Sequence, residues 1–258
     1  MHPIFLSIGS FQIHWYGVMA ALAALTAYYV IMANRKFADL TKDQVATLVF
    51  YCALVGGTLG ARVFFVALNW QHFIKQSWVE MLRIDKGGLV FYGGFFLAIL
   101  LIVWYVRKHK LSLTAVFDVM VPGLAAGHGI ARIGCFLQGC CYGGVTTCFL
   151  GVKYPLSANI YPGQAVMPVQ LLESAGNLIL AGILFYLVRK CRRGVAFSAY
   201  IAIYGAMRFG LEMLRGDAER GAFFGWSPAQ LIGMIMIPTG VFLVIFFARK
   251  PEKSAEKA

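Results

Sequence analysis

Seven stretches of this chain are each about 18 to 25 residues long and mainly apolar, long enough for an α-helix to cross roughly 30 Å of hydrocarbon. They fall near residues 15–33, 45–68, 89–106, 113–136, 168–188, 195–213 and 227–248. In lipid every backbone N–H and C=O has to be bonded internally, so apolar runs of this length become helices. With 60% hydrophobic residues, 13% charged residues and a mean hydropathy of +0.72, the chain lies outside the composition of soluble domains. The expected fold is an all-α polytopic integral membrane protein with seven transmembrane helices and external loop elements. The absence of a Pro/Ser-rich linker or an internal repeat favours a single integral membrane domain over residues 1–258. Its last residues, from about 249 to 258, read as a disordered cytoplasmic tail.

The net charge of +12 points to membrane topology rather than to nucleic acid. Most Lys and Arg follow alternate spans: Arg35, Lys36 and Lys42 the first, Arg107, Lys108 and Lys110 the third, Arg189, Lys190, Arg192 and Arg193 the fifth, and Arg249, Lys250, Lys253 and Lys257 the last. The positive-inside rule therefore places the amino terminus outside and the carboxyl terminus in the cytoplasm. The opening "MHPIFLSIGSFQIH" lacks the basic region and small-residue cleavage site of a secretory signal. It reads as a short amphipathic segment at the outer interface.

Three arginines, Arg62, Arg132 and Arg208, fall inside apolar windows. Ionised groups at bilayer depth are costly and mark functional cavities or buried pairs. "GHGIARIGCFLQGCCYGG", Gly127 to Gly144, places Arg132 among glycines; with Pro122 and Gly123 upstream, a broken helix lining a cavity is expected. An ion pair of Arg132 with Asp118 or Glu173 is its plain structural role. In "YGAMRFGLEMLRGD", Arg208 and Glu212 share a helical face, with Arg215 nearly one turn further. Arg132 and Arg208 together suit an anion clamp, and the anion that reaches this depth is a lipid phosphate, which guanidinium grips with paired hydrogen bonds. "HWYG" at the head of the first span carries His14 and Tyr16, and "GGLVFYGG" carries Tyr92. Interfacial anchoring accounts for the former and close helix packing for the latter, short of any chemistry.

Six cysteines in so apolar a chain do not make a disulfide framework, and neither a CxxC pair nor a Cys/His zinc spacing is present, so no metal or cofactor is expected. Cys135 and Cys140 read as small packing residues, and Cys141 with Cys148 as a candidate external disulfide.

In order and spacing, "HWYG", "GGTLGARVFF", "GGLVFYGG", "FDVMVPGLAAGHGIARIGCFLQGCCYGG", "MPVQLLES" and "YGAMRFGLEMLRGD" resemble the bacterial prolipoprotein diacylglyceryl transferases over nearly the whole chain. The resemblance implies transfer of the diacylglyceryl group of phosphatidylglycerol to the lipobox cysteine of a prolipoprotein signal peptide, with release of glycerol phosphate. It implies a bacterial cytoplasmic (inner) membrane location with the active site toward the outer face. Matching positions assign Tyr16, Arg132, Gly143, Arg208 and Glu212 to the site, with His14, Gln170, Glu173 and Arg215 in support. Three departures stand out. Tyr92 occupies the position of the family's common histidine; Ala131, Cys135 and Cys140 replace glycine, asparagine and glutamate; and Met167 replaces a histidine before Gln170 and Glu173.

The implied chemistry needs a thiolate, because a free cysteine has a pKa of about 8.5 and the thiol is a poor nucleophile. Arg208 is the leading candidate for stabilising the departing phosphate, Arg132 for binding the headgroup, and Tyr16 for positioning it. Tyr92, Glu212, His128, His14 and water remain alternatives for proton removal. A transporter is the competing class, since buried charges and broken helices also build translocation paths, yet no inverted repeat is evident. A lipid-handling paralogue with a different acceptor is the other.

Overall fold

In the computed structural model, residues 4–8, 11–74, 80–81, 88, 90–154, 163–215 and 226–249 are described. The chain is mostly helical, and all seven apolar windows coincide with helical backbone. Among the described residues, five helices are long and apolar enough to cross a membrane: Trp15–Ala38, Lys42–Leu68, Leu113–Gln138, Val169–Lys190 and Pro228–Arg249. Two compact units emerge, Met1–Phe37 with Phe117–Ala258, and Ala38–Val116. The expected tail from residue 250 onward lies outside the described residues.

In the first unit, β1 (Ile4–Ile8) and β2 (Phe11–His14) pair antiparallel, with Ser7 opposite Gln12, and lead into helix α1 (Trp15–Asn34). The expected amphipathic segment is thus a strand pair. Its runs "IFLSI" and "FQIH" are rich in β-branched and aromatic residues, which favour extended backbone. Phe5 packs edge-on against Trp15, with ring centroids 4.7 Å apart.

Helix α6 (Leu113–Gln138) runs unbroken through Pro122, which corrects the expected broken helix. Its glycines serve close packing instead. A Cβ on Gly127 would lie 2.9 Å from the Ala23 carbonyl oxygen of α1, and one on Gly129 would lie 3.0 Å from the Ser174 carbonyl of α7 (Val169–Lys190). Backbones approach this closely in membranes where small residues line the contact. Asp118, also on α6, accepts the backbone N–H of Phe197 at 2.7 Å and that of Gly194. These are orphan donors at the start of α8 (Val195–Glu212), so the carboxylate caps a neighbouring helix. Gly205, Gly233 and Gly240 bring α8 against α9 (Pro228–Arg249), a Cβ on Gly205 meeting Met236 Cβ at 2.9 Å.

In the second unit, α2 (Lys42–Phe50) opens on a Thr41/Gln44 capping box and continues through a wide π-helical stretch, Tyr51–Gly60, into α3 (Ala61–Leu68). The short α4 (Trp70–Ile74) follows, and α5 (Phe91–Lys108) packs back on the π stretch where Gly56 faces Gly94 and Ala98. Buried Arg62 donates to the carbonyls of Glu80, Met81 and Gly88 at 2.8, 2.9 and 3.0 Å, and its guanidinium lies 5.4 Å from the Phe65 ring. This arginine ties a connection to α3.

Candidate active site

The polar residues of the first unit converge on α6, α7 and α8. One turn apart on α6, His128 and Arg132 both face Glu173 of α7. The Arg132 Nε is 2.9 Å from Glu173 Oε2, Nη2 donates to Oε1 at 3.0 Å, and His128 Nε2 is 3.5 Å from Oε1. Of the two expected acidic partners, Glu173 is the one Arg132 takes; Asp118 is committed to α8. Glu173 is 1% exposed, so two contacts from one guanidinium are what make a buried carboxylate tolerable there. Gly129 allows this geometry, since it brings α7 against the same face of α6.

Arg208 and Glu212 form the expected pair along α8, with Nη2 2.8 Å from Oε2. Among the described residues, Arg208 Nη1 is buried with no hydrogen-bond partner. A buried unsatisfied guanidinium donor is costly, and costs less when an oxyanion takes it. His128 links the two arginines, lying in the field of both Arg132 and Arg208, with Tyr204 beside it at a ring-centroid distance of 5.7 Å. Tyr204 escaped the sequence reading because an aromatic inside an apolar helix carries no signal of its own.

The segment after α6 is stapled into the same unit. Gln170, fully buried at the head of α7, donates to the Cys140 carbonyl at 2.7 Å and to the Tyr154 hydroxyl at 3.0 Å. Burial pushes the Tyr154 phenol up to about 12 against the opposing effect of that hydrogen bond, so it stays a neutral hydroxyl. Gly143 donates to the Met167 carbonyl at 2.8 Å and Gly144 to the Leu214 carbonyl at 3.0 Å. A Cβ on Gly143 would run into the Leu214 carbonyl and sit 2.7 Å from Val169 Cγ2. Gly143 thus serves close backbone approach. Strands β3 (Val152–Lys153) and β4 (Ala165–Val166) complete this cover.

Tyr16 is 48% exposed near the start of α1, packs beside Gly134 and shares an electrostatic environment with Arg132, Cys135, Cys140 and Cys141. His14 is exposed at the end of β2. Arg215 follows α8 and acts on Cys141 electrostatically. Tyr92 is half-exposed in the first turn of α5 and belongs to the second unit.

All six cysteines are free thiols, and the expected Cys141–Cys148 pairing is not formed. Cys141 turns instead toward Cys135 and Cys140, all three Sγ atoms lying within 4.8 Å of one another. The backbone explains why. Gly139, in the left-handed region at φ 75°, donates to the Phe136 carbonyl, and Cys140 N–H returns to the Cys135 carbonyl at 3.1 Å. These two bonds make the Schellman ending of a helix, which folds Cys140 back over Cys135.

A sequence model of the prolipoprotein diacylglyceryl transferase family matches residues 3–246. Proteins named phosphatidylglycerol–prolipoprotein diacylglyceryl transferase are similar over nearly their full length. That of Clostridium tetani is 30% identical across 94% of this chain and 96% of its own. A Clostridium perfringens relative is 31% identical across 98% and 97%, and one from Geobacter sulfurreducens 30% identical across 96% of each. With a match that spans all of the helices joined in this site, the chain belongs to the prolipoprotein diacylglyceryl transferase family.

Proposed function

We propose that this protein is a phosphatidylglycerol–prolipoprotein diacylglyceryl transferase that moves the diacylglyceryl group of phosphatidylglycerol to the lipobox cysteine of a prolipoprotein. It spans the bacterial cytoplasmic membrane seven times, with its amino terminus and site toward the outer face, as the distribution of Lys and Arg supports. The observation that carries the reading within this family is Arg208, whose buried Nη1 has no hydrogen-bond partner among the described residues while Nη2 is held by Glu212.

The acceptor sulfur, as thiolate, attacks the glycerol carbon that bears the phosphate. The new C–S bond forms as the C–O bond breaks, and the electron pair leaves on the phosphate oxygen of glycerol phosphate. Arg208 receives that charge, with the neighbouring Glu212 fixing its orientation. Arg132, held by Glu173, supplies a second positive field for the headgroup, and Tyr16 a phenolic hydrogen bond. Tyr92, Glu212 and His128 are the candidate proton acceptors. Gln170 and Gly143 hold the cover in place, and Arg215 adds positive charge at its edge.

Incubation of the purified full-length protein with phosphatidylglycerol and a lipobox peptide, followed by mass analysis, tests the reading. The expected products are a diacylglyceryl thioether on the peptide cysteine and free glycerol phosphate. Folded protein that yields neither refutes it.

A further inference from the structure

We propose that Cys135, Cys140 and Cys141 form a three-thiolate Zn²⁺ site whose fourth position is open to the acceptor thiol; this deepens the transferase reading above and rests on it. The sulfurs lie within 4.8 Å of one another. Tetrahedral zinc, with Zn–S of about 2.3 Å, needs S···S separations of about 3.8 Å, so the longest edge has to close by about 1 Å, within reach of side-chain rotation.

Three features of the surroundings favour a metal over simple packing. The cluster is built by special backbone: the Schellman turn at Gly139 superposes Cys140 on Cys135, and Cys141 itself sits at φ 63°, a conformation few residues other than glycine adopt. Buried Gln170 then pins the Cys140 carbonyl. Charge is the second feature. Three thiolates around Zn²⁺ leave one negative charge, and Arg132 Nη1 lies 3.9 Å from Cys135 Sγ. Access is the third: Cys135 is buried, but Cys140 and Cys141 are partly exposed, so the cluster is open on one side.

Three protein ligands with an open position are the pattern of reactive zinc, whereas structural zinc has four. A thiol that takes the open position is deprotonated by the metal. Its proton passes to a base or to water, the sulfur forms the C–S bond, and the C–O electron pair departs with the phosphate beside Arg132 and Arg208. Zinc keeps its charge throughout, and no oxidant or reductant is needed. Such a site also relieves the demand that a protein side chain generate the thiolate unaided.

Co²⁺, a spectroscopic substitute for zinc, is the probe. Full-length protein stripped with a chelator is expected to bind about one Co²⁺ per chain with sulfur-to-metal charge-transfer bands and tetrahedral visible bands, and Zn²⁺ is expected to displace it. Cys135→Ser and Cys141→Ser are expected to bind at least about tenfold more weakly, whereas Cys52→Ser and Cys148→Ser bind as the wild type does. A lipobox peptide is expected to shift the visible bands, and its Cys→Ser analogue to leave them unchanged. The wild-type titration stands even if a variant fails to fold. Absence of binding, binding indifferent to the three cysteines, a disulfide among them in the purified protein, or copper as the bound ion overturns the proposal. Thioether formation without bound metal overturns the zinc site alone; cysteine-dependent metal binding without thioether product overturns the transferase reading and the acceptor role together.

Discussion

Replacing Glu173 with glutamine preserves the shape of the side chain and one acceptor oxygen but removes the charge that holds Arg132. Two guanidinium contacts, at 2.9 and 3.0 Å, depend on that charge, and Glu173 is 1% exposed. The one hydrogen bond among them, from Nη2, contributes about 1.5–3 kcal/mol as a bond between charged groups, the Nε contact is an ion pair, and removing one member of a buried pair costs about 3–5 kcal/mol. Arg132 keeps 18% exposure, so solvent recovers part of the loss and the lower end, about 3 kcal/mol, applies. In an Arg132→Met background the sign changes, because Glu173 is then an uncompensated buried charge and Glu173→Gln becomes neutral or stabilising. The coupling between the two positions is therefore about 3 kcal/mol, at the upper end of contacting pairs. Equilibrium unfolding of the four proteins in mixed micelles measures it. A cost below about 1 kcal/mol for Glu173→Gln, or an equal cost in both backgrounds, refutes the assignment of Glu173 as the residue that holds Arg132.

Four further outcomes are expected. Arg208→Ala leaves the protein folded but lowers transfer by at least about 100-fold, since a buried donor aimed at developing charge is worth that much; thioether yield by mass analysis reads it, and retained transfer contradicts the role. Tyr92→Phe lowers transfer by at least about tenfold where Tyr92 is the proton acceptor, and unchanged initial rates across pH leave that role to Glu212 or His128. Gly143→Ala destabilises by about 1–3 kcal/mol, because its methyl meets the Leu214 backbone carbonyl, which has little room to move; thermal unfolding in detergent checks this. Asp118→Ala costs about 1–2 kcal/mol by uncapping α8, measured by the same unfolding experiment, without a direct effect on Arg132 or Arg208.

Local composition made the helices legible. An apolar run of some twenty residues has one way to satisfy its backbone in lipid, and the seven runs became Trp15–Asn34, Lys42–Leu68, Phe91–Lys108, Leu113–Gln138, Val169–Lys190, Val195–Glu212 and Pro228–Arg249. The Arg208–Glu212 pair was equally legible, because four-residue spacing on a helix is a contact by itself. The strand pair at the amino terminus was missed because length and polarity drew the reading toward an interfacial segment, although its β-branched and aromatic residues pointed to extended backbone.

Partner choice across helices was beyond the sequence. Asp118 and Glu173 were both available to Arg132, and only the rotation and depth of α6, α7 and α8 decide that Glu173 meets the guanidinium while Asp118 caps α8. The glycines that govern those approaches, Gly127 and Gly129 among them, could be read from sequence as breaks in a helix or as contacts between helices. The same holds at the end of α6, where spacing gave Cys135, Cys140 and Cys141 no common purpose and a left-handed Gly139 brought their sulfurs together. Sequence by itself determined the helices and the chemical character of their polar residues, since both follow from local bonding and solvation. Tertiary structure decided which of those residues meet, because that depends on how close two backbones come and which faces they turn to each other.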